Sequence, residues 1–221
     1  MRDKKIKNHT RLERIQEILR AQGLDGLLVT AMKNIRYLTG FTGSSGFALI
    51  TPEKTFFYTD FRYKEQAEEE VKGWEIGMGR LRRIDTLERL TKKLGVKSLG
   101  FETSLSYGFF ELLQGMGLLL APQRDLIERL RTIKDAEEMA SIRRAVERAE
   151  TAFLKLLPKI REGITEKAIA LRLEDGLLKA GCRSLPFDII VASGRHSSMP
   201  HAKPTDKKLE KGDFVIIDWG G

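Results

Sequence analysis

The chain has 221 residues, which suits two packed units of about 100 residues each. Hydrophobic residues make up 41% of it and exclude global disorder, while the lack of an apolar span, of a secretory signal after Met1–Lys7 and of any cysteine besides Cys182 reads as a disulfide-free cytoplasmic chain with no membrane partner. The net charge of +8 comes from 39 basic and 31 acidic residues that interleave, so solvated helix faces account for it and a nucleic-acid partner is not expected.

Leu12, Ile15 and Leu19 recur at helical spacing and predict an amphipathic helix over about residues 10–21, ended by Gly23. A strand follows at 26–30, and runs at 46–51 and 55–59, joined through Pro52-Glu53-Lys54, read as an antiparallel pair. Next come a charged helix (62–70), a strand near 74–76, a helix around 84–94, a strand near 98–101, a helix at about 107–114 and an apolar stretch at 118–120. This order describes an α/β domain built on a mixed sheet, assigned residues 1–130, with a second domain over 131–221.

The second domain opens where Asp135 caps a long helix and Glu138 returns the bond. Ile142, Val146, Ala149, Phe153 and Leu156 form its apolar stripe until Pro158 and Gly163 interrupt it. Thr165 caps another helix, on which Ala168, Leu171 and Leu178 are expected to share the packed side before Gly181 stops it. Residues 187–192 and 213–218 read as strands, separated first by a polar loop from Ser193 to His201.

Two of the three histidines, His196 and His201, lie in that loop. Pro200 fixes the backbone before His201, so a rigid segment aims the imidazole, although a loop histidine also serves as a structural hydrogen-bonding group. Asp218 ends a strand whose Val215, Ile216 and Ile217 imply burial on both faces. A carboxylate there needs a cation, a set of donors or a metal; alternatively it caps the following turn through Gly220. His201 and Asp218 converge if the chain between them folds back and the two strands pair. Other motifs fail: Gly40, Gly43 and Gly46 recur in steps of three and precede a strand, unlike a dinucleotide fingerprint, and no nucleophile elbow or H-E-x-x-H occurs. Cys182 reads as a small apolar side chain.

Taken together, Asn34–Phe41, Tyr58–Ala67, Arg131–Ala145, Phe187–Gly194, Pro200-His201-Ala202 and Gly212–Gly220 resemble the pita-bread metallopeptidase family, specifically its branch of Xaa-Pro aminopeptidases and prolidases. The resemblance implies a creatinase/prolidase-type N-terminal domain followed by the first part of a pita-bread catalytic domain. It also implies a proline-containing peptide substrate, a homodimer, and two divalent ions of manganese, cobalt or zinc held by two aspartates, a histidine and two glutamates. By this resemblance Asp218 is a metal ligand, and His201 is a catalytic residue that faces the substrate without binding metal. The other four ligands have no counterpart among the 221 residues, which reads as an N-terminal fragment that binds no metal tightly and is inactive alone. The alternatives are a non-catalytic relative that binds protein or nucleic acid, and a creatinase-like branch, against which Asp218 argues.

Overall fold

A short apolar run covered on both faces folds as a central strand, and β1 (Gly26–Val29) is such a run, with all four residues buried. The computed structural model describes residues 2–79 and 83–221, which divide into units at Ile133/Lys134. In the first unit β1 joins β2 (Phe47–Ile50), β3 (Thr55–Thr59), β4 (Glu75–Met78), β5 (Ser98–Glu102) and β6 (Leu119–Gln123) in one sheet of order β4-β3-β2-β1-β5-β6. The β1–β2 and β2–β3 pairs are antiparallel; β3–β4, β1–β5 and β5–β6 are parallel, so the sheet is mixed.

Successive side chains of a strand face opposite ways, and helices cover both sides. Leu27, Val29, Ala48, Ile50 and Phe57 pack with Ile15 and Leu19 of α1 (Arg2–Gln22), Ile35 and Leu38 of α2 (Met32–Thr39), Ala67 of α3 (Lys64–Glu70) and Ile127 near the C-terminal end of the unit. On the opposite face Leu28, Leu49, Phe56, Leu99 and Phe101 meet Leu87 of α4 (Arg83–Leu94) and Leu113 of α5 (Tyr107–Gln114). Ile127 belongs to α6 (Leu126–Thr132), the last helix of the unit. Sequence periodicity does not reveal α2 and α6. Both are short, and the residues before them, Ala31 and Asp125, make no side-chain cap bond.

In the second unit α7 (Ala136–Leu156) begins with the expected capping box between Asp135 and Glu138 and runs into a 3-10 turn at Pro158. Thr165 caps α8 (Glu166–Lys179), accepting a bond from the Ala168 N–H. The strands are shorter than the sequence suggests: β7 (Ile190–Ser193) and β8 (Val215–Asp218) pair antiparallel in a two-stranded sheet. Their core joins Ala152, Leu156, Ile169, Leu173, Leu177, Cys182 and Val191, with Phe153 stacked on Trp219 at 4.3 Å.

Three expectations are corrected here. Helix α8 buries Ile169, Leu173 and Leu177, whereas Leu171 and Leu178 face solvent; residues four apart share a helical face, and Leu171 and Leu178, seven apart, share a different one. On α7 only the C-terminal half of the apolar stripe packs, and Ile142 and Val146 are about half exposed. Strand β8 is buried on one face, not two: Val215 and Ile217 join the core, while Ile216 and Asp218 point outward. Among the described residues no helix is long and apolar enough to cross a membrane.

The first unit also buries a polar knot. Glu102, at the end of β5, accepts from the backbone N–H groups of Thr30 and Ala31 at 2.7 and 2.8 Å and from Asn34 Nδ2 at 2.7 Å. Fully buried Asn34 also donates to Glu128 and accepts from Arg131, which links α2 to α6. Removing one member of a buried charged network leaves its partners unsatisfied. Asn34→Ala should therefore lower the unfolding free energy by about 2–3 kcal/mol in urea titration. Lys92→Ala, which removes only the exposed pair with Glu88, should cost less than about 0.5 kcal/mol. Equal costs for the two variants would refute the knot's structural weight.

Candidate active-site cleft

The antiparallel register of β7 and β8 sets Ile190 opposite Asp218 and Ser193 opposite Val215, so the chain between the strands must fold back. It does so through a 3-10 turn at Gly194–Ser198 and then passes Pro200 and His201. His201 and Asp218 consequently line one cleft of about 390 Å³, together with Phe187, Asp188, Lys203 and Pro204. Ala202, next to His201, is buried and anchors the loop there, while His201 itself stays exposed. Asp218 is exposed as well, so the burial cost inferred from its apolar neighbours does not arise in this unit. Asp188 shares the cleft and was not singled out from sequence. In the first unit a cleft of about 760 Å³ is lined by residues of β3, β4 and α4, among them Phe56, Tyr58, Arg89, Lys92 and Lys93. It is roomier, but among the described residues Glu75 is its single carboxylate and no histidine or cysteine lines it, so these residues offer no comparable set of reactive groups.

A divalent ion of the expected type needs several carboxylate and imidazole ligands converging on one point. Among the described residues no group of three or more His, Cys, Asp or Glu side chains could hold a metal ion. The residues present therefore do not by themselves fit a two-metal site, and Asp218 offers one ligand at most.

The residue that sequence reasoning missed is Glu166. It follows the cap of α8 and lies three, seven and eleven positions before Ile169, Leu173 and Leu177, which puts its side chain on the buried face of the helix. That spacing was the available signal, because an acidic residue in a first turn otherwise reads as a solvated partner of the helix dipole. Its side chain is fully buried. One oxygen, Oε1, accepts from Ser193 N and Oγ at 2.7 and 2.8 Å; the other, Oε2, accepts from Thr205 N and Oγ1 at 3.0 and 2.6 Å. His196 Nδ1 lies 3.1 and 3.0 Å from the two oxygens, and since an ionised carboxylate only accepts, this nitrogen carries the proton. Burial pushes the Glu166 carboxyl up, but the bonds from Thr205, Ser193 and His196 outweigh it and hold the pKa at about 2. Beneath the same loop Lys207 Nζ donates to Ser193 Oγ at 3.1 Å and to Asp213 Oδ2 at 2.6 Å.

Comparison with known proteins gives this architecture a family. Residues 11–133 match the Creatinase/Prolidase N-terminal domain and residues 140–221 match Metallopeptidase family M24. The chain belongs to the pita-bread metallopeptidase family that combines these two domains. An uncharacterized peptidase of Bacillus subtilis is 41% identical over 95% of this chain and 60% of its own length, and a Pyrococcus horikoshii Xaa-Pro dipeptidase is 32% identical over 95% and 59%. Among solved structures, an Xaa-Pro dipeptidase from Bacillus anthracis superposes with a TM-score of 0.90 at 37% identity, covering 96% of this chain and 61% of that one. The chain thus spans about three-fifths of the length of these relatives.

The low pKa of Glu166 has a consequence for stability. The carboxyl titrates near 2 when folded, against 4.5 for an unperturbed group, so its contribution is fully present above about pH 4.5 and is lost as pH falls through about 2. In urea unfolding, Glu166→Gln should be less stable than wild type by an amount on the order of 3 kcal/mol at pH 6, and the gap should close as pH is lowered toward 2. A gap that stays constant over that range would show that the carboxylate charge is not its source.

Proposed function

We propose that this chain supplies the N-terminal domain and the His201 and Asp218 half of the site of an Xaa-Pro peptidase. The observation that carries the reading is the β7–β8 register, which brings the loop histidine and the strand-end aspartate to one cleft. The names of the relatives, Xaa-Pro dipeptidases and an X-Pro aminopeptidase, support the same substrate class. A bond preceding proline calls for a dedicated site, since its amide lacks an N–H and its φ is fixed. In this reading His201, pointed by Pro200, hydrogen-bonds the substrate near the scissile carbonyl and supports the charge that develops there. Asp218 is one ligand of a divalent-metal set completed by counterparts of the two-fifths of the relatives' length that this chain does not span. The 221 residues alone are inactive, and the active assembly is a homodimer.

A chimera tests this. The 221 residues are followed by the part of the Bacillus anthracis dipeptidase that lies beyond the matched region, and the product is assayed on Xaa-Pro dipeptides with manganese. Hydrolysis is expected from the chimera and not from the 221-residue chain. In the chimera, His201→Ala should lower kcat by about 10²–10³ with bound metal unchanged, whereas Asp218→Ala should lose metal as well. A folded but inert chimera, or full turnover by His201→Ala, would sink the reading. In that event, binding of duplex DNA with a steep salt dependence would favour a non-catalytic binding protein.

A further inference from the structure

A carboxylate that merely continues a helix cap needs one or two donors, and Glu166 has five, all from outside α8. They come from two places in the chain. Ser193 is the last residue of β7 and Thr205 lies twelve positions later, with His196 between them. The two carboxylate oxygens divide these ends: Oε1 takes Ser193 and Oε2 takes Thr205. The loop that departs at Ser193 and returns at Thr205 is therefore closed on a single anion, and His201 stands inside that closure.

Burying the charge and closing the loop are one event. Without the loop ends, Glu166 would be an unpaired carboxylate in an apolar core, which costs several kcal/mol. Without Glu166, two backbone N–H groups and two hydroxyls at the loop ends would lose their acceptor, and the link between the two ends through one group would go, leaving Ser193 held by its pairing with Val215 and Thr205 by the bond from the Lys167 N–H to its carbonyl. Lys207 reinforces the base of the loop from the other side by bonding Ser193 Oγ and Asp213. Ser193, His196 and Thr205, which bond Glu166, are not among the described residues that line the cleft, so its effect on chemistry passes through the loop.

We infer that Glu166 is a positioning residue, whose bonds to Ser193, His196 and Thr205 fix the path of residues 193–205 and thereby the place of His201 beside Asp218 in the cleft. The inference rests on the proposed role of His201 for its functional half; the clamp itself does not depend on that role.

Three variants separate positioning from plain stability. Glu166→Gln keeps the shape but sets an NH2 against donors. Thr205→Val is the milder change, removing the hydroxyl that donates to Glu166 and accepts from the Lys207 N–H, and keeping the Thr205 N–H bond to Glu166. Leu173→Ala weakens the same core without touching the clamp. In the 221-residue chain, amide exchange at Ser193 and Thr205 should rise about tenfold or more in the first two variants, relative to the α8 amides, with the His201 imidazole resonances displaced. Leu173→Ala should leave the loop-to-helix ratio unchanged. In the chimera, the first two should lower kcat about tenfold with KM held within about twofold, and Leu173→Ala should retain wild-type kcat below its melting temperature.

Unchanged loop exchange in both Glu166→Gln and Thr205→Val would overturn the clamp. Raised exchange with unaltered kcat, or an equal kcat loss in Leu173→Ala, would overturn its positioning role. A wild-type chimera without activity would count against the proposed function, while the exchange measurements would still decide the clamp.

Discussion

A carboxylate removed from water has to be surrounded by donors, and each unit of this protein is organised around one such group. In the first unit Glu102 gathers the end of β1 and the start of α2 through the N–H groups of Thr30 and Ala31 and the Asn34 amide. In the second, Glu166 gathers the end of β7 and a loop return through Ser193, His196 and Thr205. Apolar packing sets which strands lie side by side, but it is indifferent to the path of a connection. Directional bonds to a buried anion are not indifferent, and they define the connections here.

The two units differ in how fully their own residues cover them. The six-stranded sheet of the first has helices on both faces, which is why its strands read as uninterrupted apolar runs. The second has two strands and two long helices, and leaves Phe214, Ile216, Ile142 and Val146 substantially exposed. A two-stranded sheet is marginal by itself, so its geometry leans on α8 and on the Glu166 bonds. The cleft that contains His201 and Asp218 sits on this less covered element.

Much of the architecture could be read from the residues alone. The mixed sheet, the capping box at Asp135 and Glu138 and the Thr165 cap each have a local cause, and each appears as expected. The failures share a different origin. Val215-Ile216-Ile217 is compatible with one buried face or two, and only the number of covering layers decides. Leu171 and Leu178 are as apolar as Leu173 and Leu177, so composition could not choose the face of α8. His201 and Asp218 were visible as candidates because of Pro200 and the strand end, whereas their meeting depended on strand pairing. Glu166 escaped notice because its partners lie 27 to 39 positions away.

Cys182, the one cysteine of the chain, lies in the core of the second unit against Leu177 and Gly221, 8% exposed. The thiol is largely shielded by that core, so its modification rate speeds up as the core around it opens. The protein thereby carries its own chemical timer for the half that holds the cleft, usable without a label and without any substrate.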